Sequence, residues 1–171
     1  MDKRKGIITM QGNPLTLAGK EIKVGDAAPD FTVLAQDLTP VKFSDERGKV
    51  RIISIVPSLD TGICDLQTTS FNERAAGLGE DISIWTVSVD LPFAQARFCT
   101  GKGIDKVKVV SDHKDLDFGK AYGFVIDELR LLARGIVVVD QNDKVAYVEY
   151  VKEVASHPDY DRAIEAAKKL V

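Results

Sequence analysis

Cysteine and histidine are scarce in this chain of 171 residues, which contains only two of each. A zinc site would have to use all four, Cys64, Cys99, His113 and His157, but no pair has the close spacing of a structural zinc site. We therefore expect no metal centre. The two cysteines lie 35 positions apart (99 − 64), which excludes a CxxC motif. Neither histidine lies in a motif that suggests a general base.

Long apolar runs and an excess of basic charge are also missing. No stretch approaches the length of a transmembrane helix. The apolar residues 7–17 are interrupted by Gln11, Gly12, Asn13 and Pro14, so they do not form the core of a secretory signal, and we expect a cytoplasmic protein. The net charge of −3 provides no basic surface for nucleic acid or for an anionic membrane.

The composition is that of a compact globular domain, with 44% hydrophobic and 29% charged residues. A chain of this length suits a single domain spanning residues 1–171. We see no repeats and no low-complexity tract. Residues 101–103, Gly-Lys-Gly, are too short for a phosphate-binding loop, so we expect no nucleotide and no other cofactor.

The most informative segment is PSLDTGICD, residues 57–65. The β-branched residues before it predict a buried strand over 50–56, and helical spacing of apolar residues after it predicts a helix from about Gly62 to Leu78. Cys64 then lies in the first turn of that helix, where free N–H groups and the helix dipole favour a thiolate. Thr61 can supply a hydroxyl donor, and Pro57 stiffens the entrance to the turn.

A helix terminus alone contributes only about 0.3 to 2 kcal/mol to such an anion. The neighbouring carboxylate of Asp65 opposes the thiolate unless it points away. A further cationic or hydrogen-bonding partner is therefore needed. Arg134 is the candidate for the cation, because it interrupts the apolar run LLARGIVVV where burial without an anionic partner is costly. The alternative is that Arg134 lies on an edge strand and points into water.

The spacing Pro57-x-x-x-Thr61-x-x-Cys64 resembles the active-site signature of the peroxiredoxins, and PSLDTGICDLQT resembles its thiol peroxidase branch. Collinear similarity continues through SVDLPFAQARFC, VSDHKDLDFGKAYG and LLARGIVVVD. The resemblance implies that Cys64 attacks peroxide and becomes a sulfenic acid, while Thr61 and Arg134 align the O–O bond. It also implies that Cys99 is a resolving cysteine, as in the atypical two-cysteine type.

The same resemblance implies reduction of hydrogen peroxide and of organic hydroperoxides, recycling of a Cys64–Cys99 disulfide by thioredoxin, and a homodimer. Apolar residues near the signature, Leu59, Ile63 and Phe93, could favour alkyl or lipid substrates but could equally belong to the core. The predicted disulfide joins residues on two different helices, so we expect a helix end to unwind. Glycines at 62, 101 and 103 would permit this opening.

Three alternative interpretations remain open. Cys64 could be a small buried core residue, as most cysteines in intracellular cores are. The chain could be a redox sensor whose disulfide changes its affinity for a protein, although a sensor needs no threonine and arginine aimed at an O–O bond. A cysteine hydrolase would need a base that the sequence does not provide.

The predicted fold is α/β: a thioredoxin-like fold with a central mixed β-sheet, flanking helices and an N-terminal β-hairpin. A strand, helix and strand over residues 50–89 should form a parallel βαβ unit, with Cys64 at the carboxyl end of its first strand. The strand order comes from the resemblance. The other predicted elements are a hairpin of residues 7–10 and 15–22, extended segments 31–34 and 41–43, helices near 92–101 and 116–122, a strand over 107–110, a hairpin of 133–139 and 145–150, and a helix over 158–170.

Overall fold

The computed structural model describes all residues of the chain, 1–171, and alternates strands and helices much as the sequence predicts. A short 3-10 turn over Phe43–Glu46 is the remaining helical element. The strands and helices, in chain order, are β1 (Lys3–Met10), β2 (Asn13–Ala18), β3 (Thr32–Leu34), β4 (Pro40–Lys42), β5 (Val50–Ile55), α1 (Gly62–Ala75), β6 (Ile82–Ser88), α2 (Pro92–Lys102), β7 (Lys108–Ser111), α3 (Asp117–Tyr122), β8 (Val125–Ile126), β9 (Leu131–Leu132), β10 (Gly135–Val139), β11 (Val145–Tyr150) and α4 (Tyr160–Lys168).

A mixed sheet of seven strands forms the centre, in the order β11-β10-β5-β6-β7-β3-β4. Strands β5, β6 and β7 are parallel, and the outer pairs are antiparallel. The register of β5 against β6 runs from Val50 opposite Ile82 to Ile55 opposite Val87. The predicted βαβ unit is therefore present, and α1 begins beyond the carboxyl end of β5, next to the end of β6.

Each face of this sheet covers its own apolar core, because successive residues of a strand point to opposite faces. In β5, Ile53 and Ile55 join one cluster, while Val50 and Ile52 join the other. The first cluster contains the stacked aromatic side chains of Phe31, Phe43, Trp85, Phe118 and Tyr122. Cys64 and Cys99 both lie in the second cluster, which is covered by helices.

The N-terminal hairpin belongs to a second, smaller sheet in the order β1-β2-β8-β9. Its turn is at Gln11 and Gly12, which both have positive φ. Strand β2 ends at Ala18 rather than at residue 22, because Gly19 has a φ of +109° and packs so closely that a Cβ would lie 2.6 Å from the Lys120 carbonyl oxygen. Strands β8 and β9, of two residues each, were not predicted from the sequence.

Several boundaries differ from the predictions. Helix α1 ends at Ala75 rather than near residue 78. Glycines at 77 and 79 lie just beyond its end. Helix α4 covers Tyr160–Lys168 rather than 158–170. Strand β10 begins at Gly135, so Arg134 lies in the short connection between β9 and β10 and not inside a strand. None of the helices combines the length and the apolar character needed to cross a bilayer.

Candidate active site

Cys64 is the third residue of helix α1, and its side chain is completely buried. Thr61 is the N-cap, and the first intrahelical hydrogen bond runs from the Asp65 N–H to the Thr61 carbonyl oxygen at 3.0 Å. The N–H groups of the three preceding helical residues, which include Cys64 itself, therefore point out of the helix end. The sulfur therefore lies at the positive end of the dipole of a fourteen-residue helix.

Arg134 supplies the cationic partner that the sequence analysis expected. Its side chain is only 2% exposed, which contradicts the alternative of an edge-strand residue pointing into water. Its Nη2 donates to Cys64 Sγ at 3.2 Å, its Nη1 to Gln67 Oε1 at 3.0 Å, and its Nε to the Val154 carbonyl oxygen at 2.6 Å. Three hydrogen bonds thus fix the guanidinium in place, one of them to the sulfur itself.

Gln67 is a site residue that the sequence analysis missed. It is buried one helical turn after Cys64, and its Nε2 donates to Ser54 Oγ at 2.8 Å and to the Ile55 carbonyl oxygen at 3.3 Å. Its amide therefore connects the end of β5 to Arg134. The available signal was an uncharged polar residue at i+3 from the cysteine, on the buried face of the helix that also carries Phe71.

Asp65 is paired with a cation. Its Oδ2 lies 3.1 Å from Lys102 Nζ, at the last residue of α2, so its negative charge is compensated beside the cysteine. The pair links the first turn of the Cys64 helix to the last turn of the Cys99 helix. Both side chains are partly exposed to solvent, 28% for Asp65 and 50% for Lys102.

A pocket of about 260 Å³ opens over the start of α1. Three of the predicted site residues line it, Pro57, Thr61 and Arg134, whereas Cys64 lies just behind the wall. The Thr61 hydroxyl donates to the Ser58 carbonyl oxygen at 3.2 Å, and no hydrogen bond joins it to Cys64. The other lining residues come from the hairpin turn, the start of α1, β9 and the loop after β11: Met10, Gln11, Ser58, Gly62, Ile63, Leu131, Val154 and Ala155.

Glu153, beside this pocket, joins the hairpin to the loop after β11. Its Oε1 accepts hydrogen bonds from Thr9 Oγ1 at 2.9 Å and from the Gly12 N–H at 3.0 Å, and its Oε2 accepts from the Ala155 N–H at 2.8 Å. These backbone donors, Ala155 first, lower the pKa of Glu153 to about 2. The small sheet thus forms one wall of the pocket.

The three apolar residues considered for substrate preference have different surroundings. Ile63 lines the pocket, Leu59 belongs to the core, and Phe93 is 66% exposed outside the pocket. Among the three, the structure supports a role at the pocket only for Ile63.

Cys99 occupies a separate, buried position near the end of α2. Burial raises the pKa of its thiol, and the hydrogen bond from Gln36 Nε2, at 3.4 Å, lowers it in part. Cys99 is therefore held as a neutral thiol, in contrast to the cationic surroundings of Cys64. Both cysteines are free in this structure.

The two histidines lie away from both sulfurs. His157 is exposed, and its Nδ1 lies 2.9 Å from the Tyr160 hydroxyl, while the His113 backbone carbonyl accepts from Arg130. No hydrogen bond joins either histidine to a cysteine, and no three metal-ligating side chains form a cluster. The arrangement at Cys64 thus contains a cation but no general base of the kind a cysteine hydrolase uses.

A larger open groove, of about 750 Å³, lies elsewhere and contains neither cysteine. Charged side chains of both signs line most of it, including Glu46, Lys49, Asp105 and Lys108. The buried contact between Arg134 and Cys64 lies at the smaller pocket instead.

Comparison with known proteins identifies the family of this chain. The redoxin family matches residues 23–164. A thiol peroxidase of Halalkalibacterium halodurans is 62% identical over 161 residues, which cover 94% of this chain and 96% of that protein. A thiol peroxidase of Bacillus subtilis is 58% identical over 164 residues, covering 96% of this chain and 98% of the relative.

Solved structures show the same architecture. A peroxiredoxin-like protein from Aquifex aeolicus superimposes with a TM-score of 0.90 at 41% identity, covering 96% of each chain. A thiol peroxidase from Chromobacterium violaceum has a TM-score of 0.84 at 19% identity, over 95% of each chain, and supports the fold alone. The predicted thioredoxin-like α/β fold is confirmed. The chain therefore belongs to the redoxin family and, within it, to the thiol peroxidases, which are peroxidase enzymes of the peroxiredoxin type.

Proposed function

We propose that this protein reduces hydrogen peroxide and organic hydroperoxides through a nucleophilic thiolate at Cys64. The observation that carries the proposal is the 3.2 Å hydrogen bond from Arg134 Nη2 to Cys64 Sγ at the amino end of α1. A buried core cysteine would need neither a buried arginine nor the glutamine that holds it. The positive charge stabilises the thiolate, which is the form that attacks peroxide.

In the first step, the Cys64 thiolate attacks the terminal oxygen of ROOH. The S–O bond forms as the O–O bond breaks, giving Cys64 sulfenic acid and an alkoxide that takes up a proton to become ROH, or water when the substrate is hydrogen peroxide. Arg134 is suited to this step because its planar fork carries donors that remain after one of them has bound the sulfur. Thr61 and Pro57 shape the opposite side of the pocket.

In the second step, the Cys99 thiol attacks the sulfenic sulfur. The products are a Cys64–Cys99 disulfide and water. A disulfide needs the two Cα atoms within about 7 Å, whereas the cysteines lie on different helices and contact separate partners, Arg134 and Gln36. We propose that the first turn of α1 or the last turn of α2 unwinds to allow this bond to form.

A dithiol protein, thioredoxin, then restores both thiols by exchange, and its own dithiol becomes a disulfide. We also propose that the enzyme is a cytoplasmic homodimer built from single-domain protomers. No cofactor takes part in the cycle, because the two cysteines carry both electrons.

The pocket favours organic hydroperoxides. Met10, Ile63, Leu131 and Val154 provide apolar surface for the R group of ROOH. The polar groups are concentrated around Arg134, where the oxygens would bind. We expect cumene hydroperoxide to react faster than hydrogen peroxide.

Turnover separates this enzyme from a redox sensor. The reduced protein, with thioredoxin, thioredoxin reductase and NADPH, should oxidise NADPH continuously when cumene hydroperoxide is added. A sensor would instead be oxidised once, in stoichiometric amount, and NADPH consumption would then stop. The Cys64→Ser variant provides the blank, and it should show no turnover.

A further inference from the structure

The loop between β5 and α1 lacks a strand partner. The Val56 N–H donates to the Val87 carbonyl oxygen at 3.1 Å, beyond the last register pair of β5 and β6. Residues 57–61 then leave the sheet, although this 57–61 loop contains the proline and the threonine of the site. Its buried backbone groups need acceptors from elsewhere.

Asp90, just beyond the end of β6, provides those acceptors. Its Oδ1 accepts a hydrogen bond from Ser58 Oγ at 2.7 Å, and its Oδ2 accepts from the Leu59 N–H at 2.8 Å. The same Oδ2 also accepts from Ser88 Oγ at 2.7 Å. Three donors thus fix the carboxylate, two of them from the 57–61 loop.

Through Ser58, this contact reaches Thr61. The Ser58 carbonyl oxygen accepts from both the backbone N–H and the side-chain hydroxyl of Thr61, each at 3.2 Å. An aspartate at the start of a helix would be expected to cap it. Here Leu91 is the N-cap of α2, with no side-chain cap, and the Asp90 carboxylate turns back to the 57–61 loop instead.

Hydrogen bonds from β7 and α2 support Asp90 and its neighbour Ser88. The Ser111 hydroxyl donates to the Asp90 carbonyl oxygen at 2.5 Å. Gln95, on the first turn of α2, donates from Nε2 to Ser88 Oγ at 3.0 Å. A continuous chain of hydrogen bonds therefore runs from the helix that carries Cys99 to the loop that precedes Cys64.

We propose that Asp90 is a positioning residue for peroxide reduction, which holds the 57–61 loop so that Thr61 stays in place to orient the bound peroxide. The inference rests on the proposed function of Cys64. It does not involve the thiolate itself, because Arg134, Gln67 and the helix terminus stabilise the sulfur without Asp90. Loss of Asp90 should therefore slow peroxide attack without changing how readily the thiolate forms.

The test uses the Cys99→Ser background, in which oxidised Cys64 cannot be resolved. Asp90→Ala removes all three acceptor contacts. We expect the second-order rate constant with cumene hydroperoxide to fall by about 10- to 100-fold, since small misplacements of aligning groups have effects of that size. The pH titration of the Cys64 thiolate, followed by its absorbance near 240 nm, should stay the same. A purely structural aspartate would not separate these two readouts.

Asp90→Asn is the conservative rescue. The amide oxygen can accept from Leu59 and Ser88, and the amide nitrogen can donate to a reoriented Ser58 hydroxyl. We expect its rate constant within about threefold of the parent's. The matched control is Glu128→Ala, which removes a carboxylate that bonds Thr16 N and Oγ1 at 2.8 Å, outside the pocket. This control should leave the peroxide rate unchanged.

Each alternative result is decisive. An Asp90→Ala rate within threefold of the parent's, a fall matched by loss of thiolate, or an equal fall in Asp90→Asn would overturn the positioning role. If Asp90→Ala does not fold, Ser58→Ala is measured instead, because it removes the hydrogen bond from Ser58 Oγ to Asp90. An unchanged peroxide rate in that variant would also overturn the positioning role. If the parent itself does not react with peroxide at Cys64, the proposed function fails instead.

Discussion

Arg134 Nη2 lies 3.2 Å from Cys64 Sγ, although the two residues are 70 positions apart in the chain. The contact forms because α1 starts at the carboxyl end of β5, and Arg134 directly precedes β10, the antiparallel neighbour of β5. In that register Gly135 lies opposite Ile55. The central sheet therefore brings the cation to the thiol.

Replacing Arg134 by methionine should decrease the thiolate population of Cys64. A hydrogen bond to a charged group contributes about 1.5–3 kcal/mol, so the rate of reaction with peroxide at pH 7 should fall by about 10- to 150-fold, because both the sulfur and the substrate oxygens lose a donor. Thiolate absorbance and stopped-flow oxidation measure the two effects.

The control for this change is Arg47→Met. Arg47 is exposed and pairs with Asp143 at 2.8 Å, outside the pocket. It should change neither measurement. An unchanged thiolate titration in Arg134→Met would remove Arg134 from the site.

Gln67→Leu should destabilise the protein and slow the reaction together. The substitution leaves the Ser54 hydroxyl, the Ile55 carbonyl and one guanidinium nitrogen without their partner. We expect the free energy of unfolding to fall by about 1–3 kcal/mol, measured by urea denaturation of the reduced protein. The peroxide rate should fall less than in Arg134→Met, because Arg134 keeps its bond to Val154. A urea midpoint equal to the wild type's would contradict this role of Gln67.

Much of the fold could be predicted from the sequence. The β-branched run before residue 56 and the helical spacing after Gly62 identified the βαβ unit, and with it the position of Cys64. Strands β8 and β9 could not be found, because two residues show no periodicity. Their pairing depends on the small sheet, which only the folded chain assembles.

The site was predicted in part. The signature predicted Pro57, Thr61 and Cys64 as site residues, and Arg134 was predicted because a charge inside an apolar run needs an explanation. Its location in a strand was wrong, since it lies between β9 and β10. No local sequence pattern indicates that Asp90 binds the 57–61 loop or that Gln67 binds Arg134. Both contacts depend on neighbours that only the folded chain brings together.

Breaking the Lys102–Asp65 ion pair should accelerate disulfide formation. The pair links the helix ends that carry the two cysteines, so Lys102→Met should favour the unwound state. Partly exposed pairs contribute about 0.2–1 kcal/mol, which predicts an acceleration of about 1.4- to 5-fold in the step after Cys64 oxidation. Rapid-quench mapping of the disulfide measures it, and the difference should shrink in 1 M salt.

Asp161→Asn is the matched comparison for this ion pair. It breaks the contact from Arg74 Nη1 to Asp161 Oδ1, at 2.7 Å, which joins α1 to α4 rather than to α2. The rate of disulfide formation should stay at the wild-type value. Equal acceleration in both variants would mean that general loosening of α1, and not the link between the two helices, controls the step.

Asp112 should make stability depend on pH. It is buried beside the start of α3 and accepts from the Phe118 and Gly119 N–H groups at 3.0 and 2.8 Å. Burial raises the pKa of its carboxyl to about 6, although these two donors lower it in part. The folded state therefore binds this proton more tightly than the unfolded state, and the free energy of unfolding falls as pH rises from about 4 through 6.

Asp112→Asn isolates this contribution, because the amide does not titrate. The unfolding free energy of the variant relative to the wild type should increase by about 2 kcal/mol between pH 4 and pH 7, whatever its offset at pH 4. Urea denaturation at the two pH values gives this difference. A relative stability that does not change with pH would show that Asp112 titrates near its ordinary range.

The most direct test of the account is to map the oxidised cysteines. The reduced protein is treated briefly with one equivalent of cumene hydroperoxide and digested without reductant, in parallel with Cys64→Ser and Cys99→Ser. We predict a Cys64–Cys99 disulfide in the wild type, oxidised Cys64 in Cys99→Ser, and no fast oxidation in Cys64→Ser. If both thiols of the wild type remain unmodified, the proposed cycle at Cys64 is wrong.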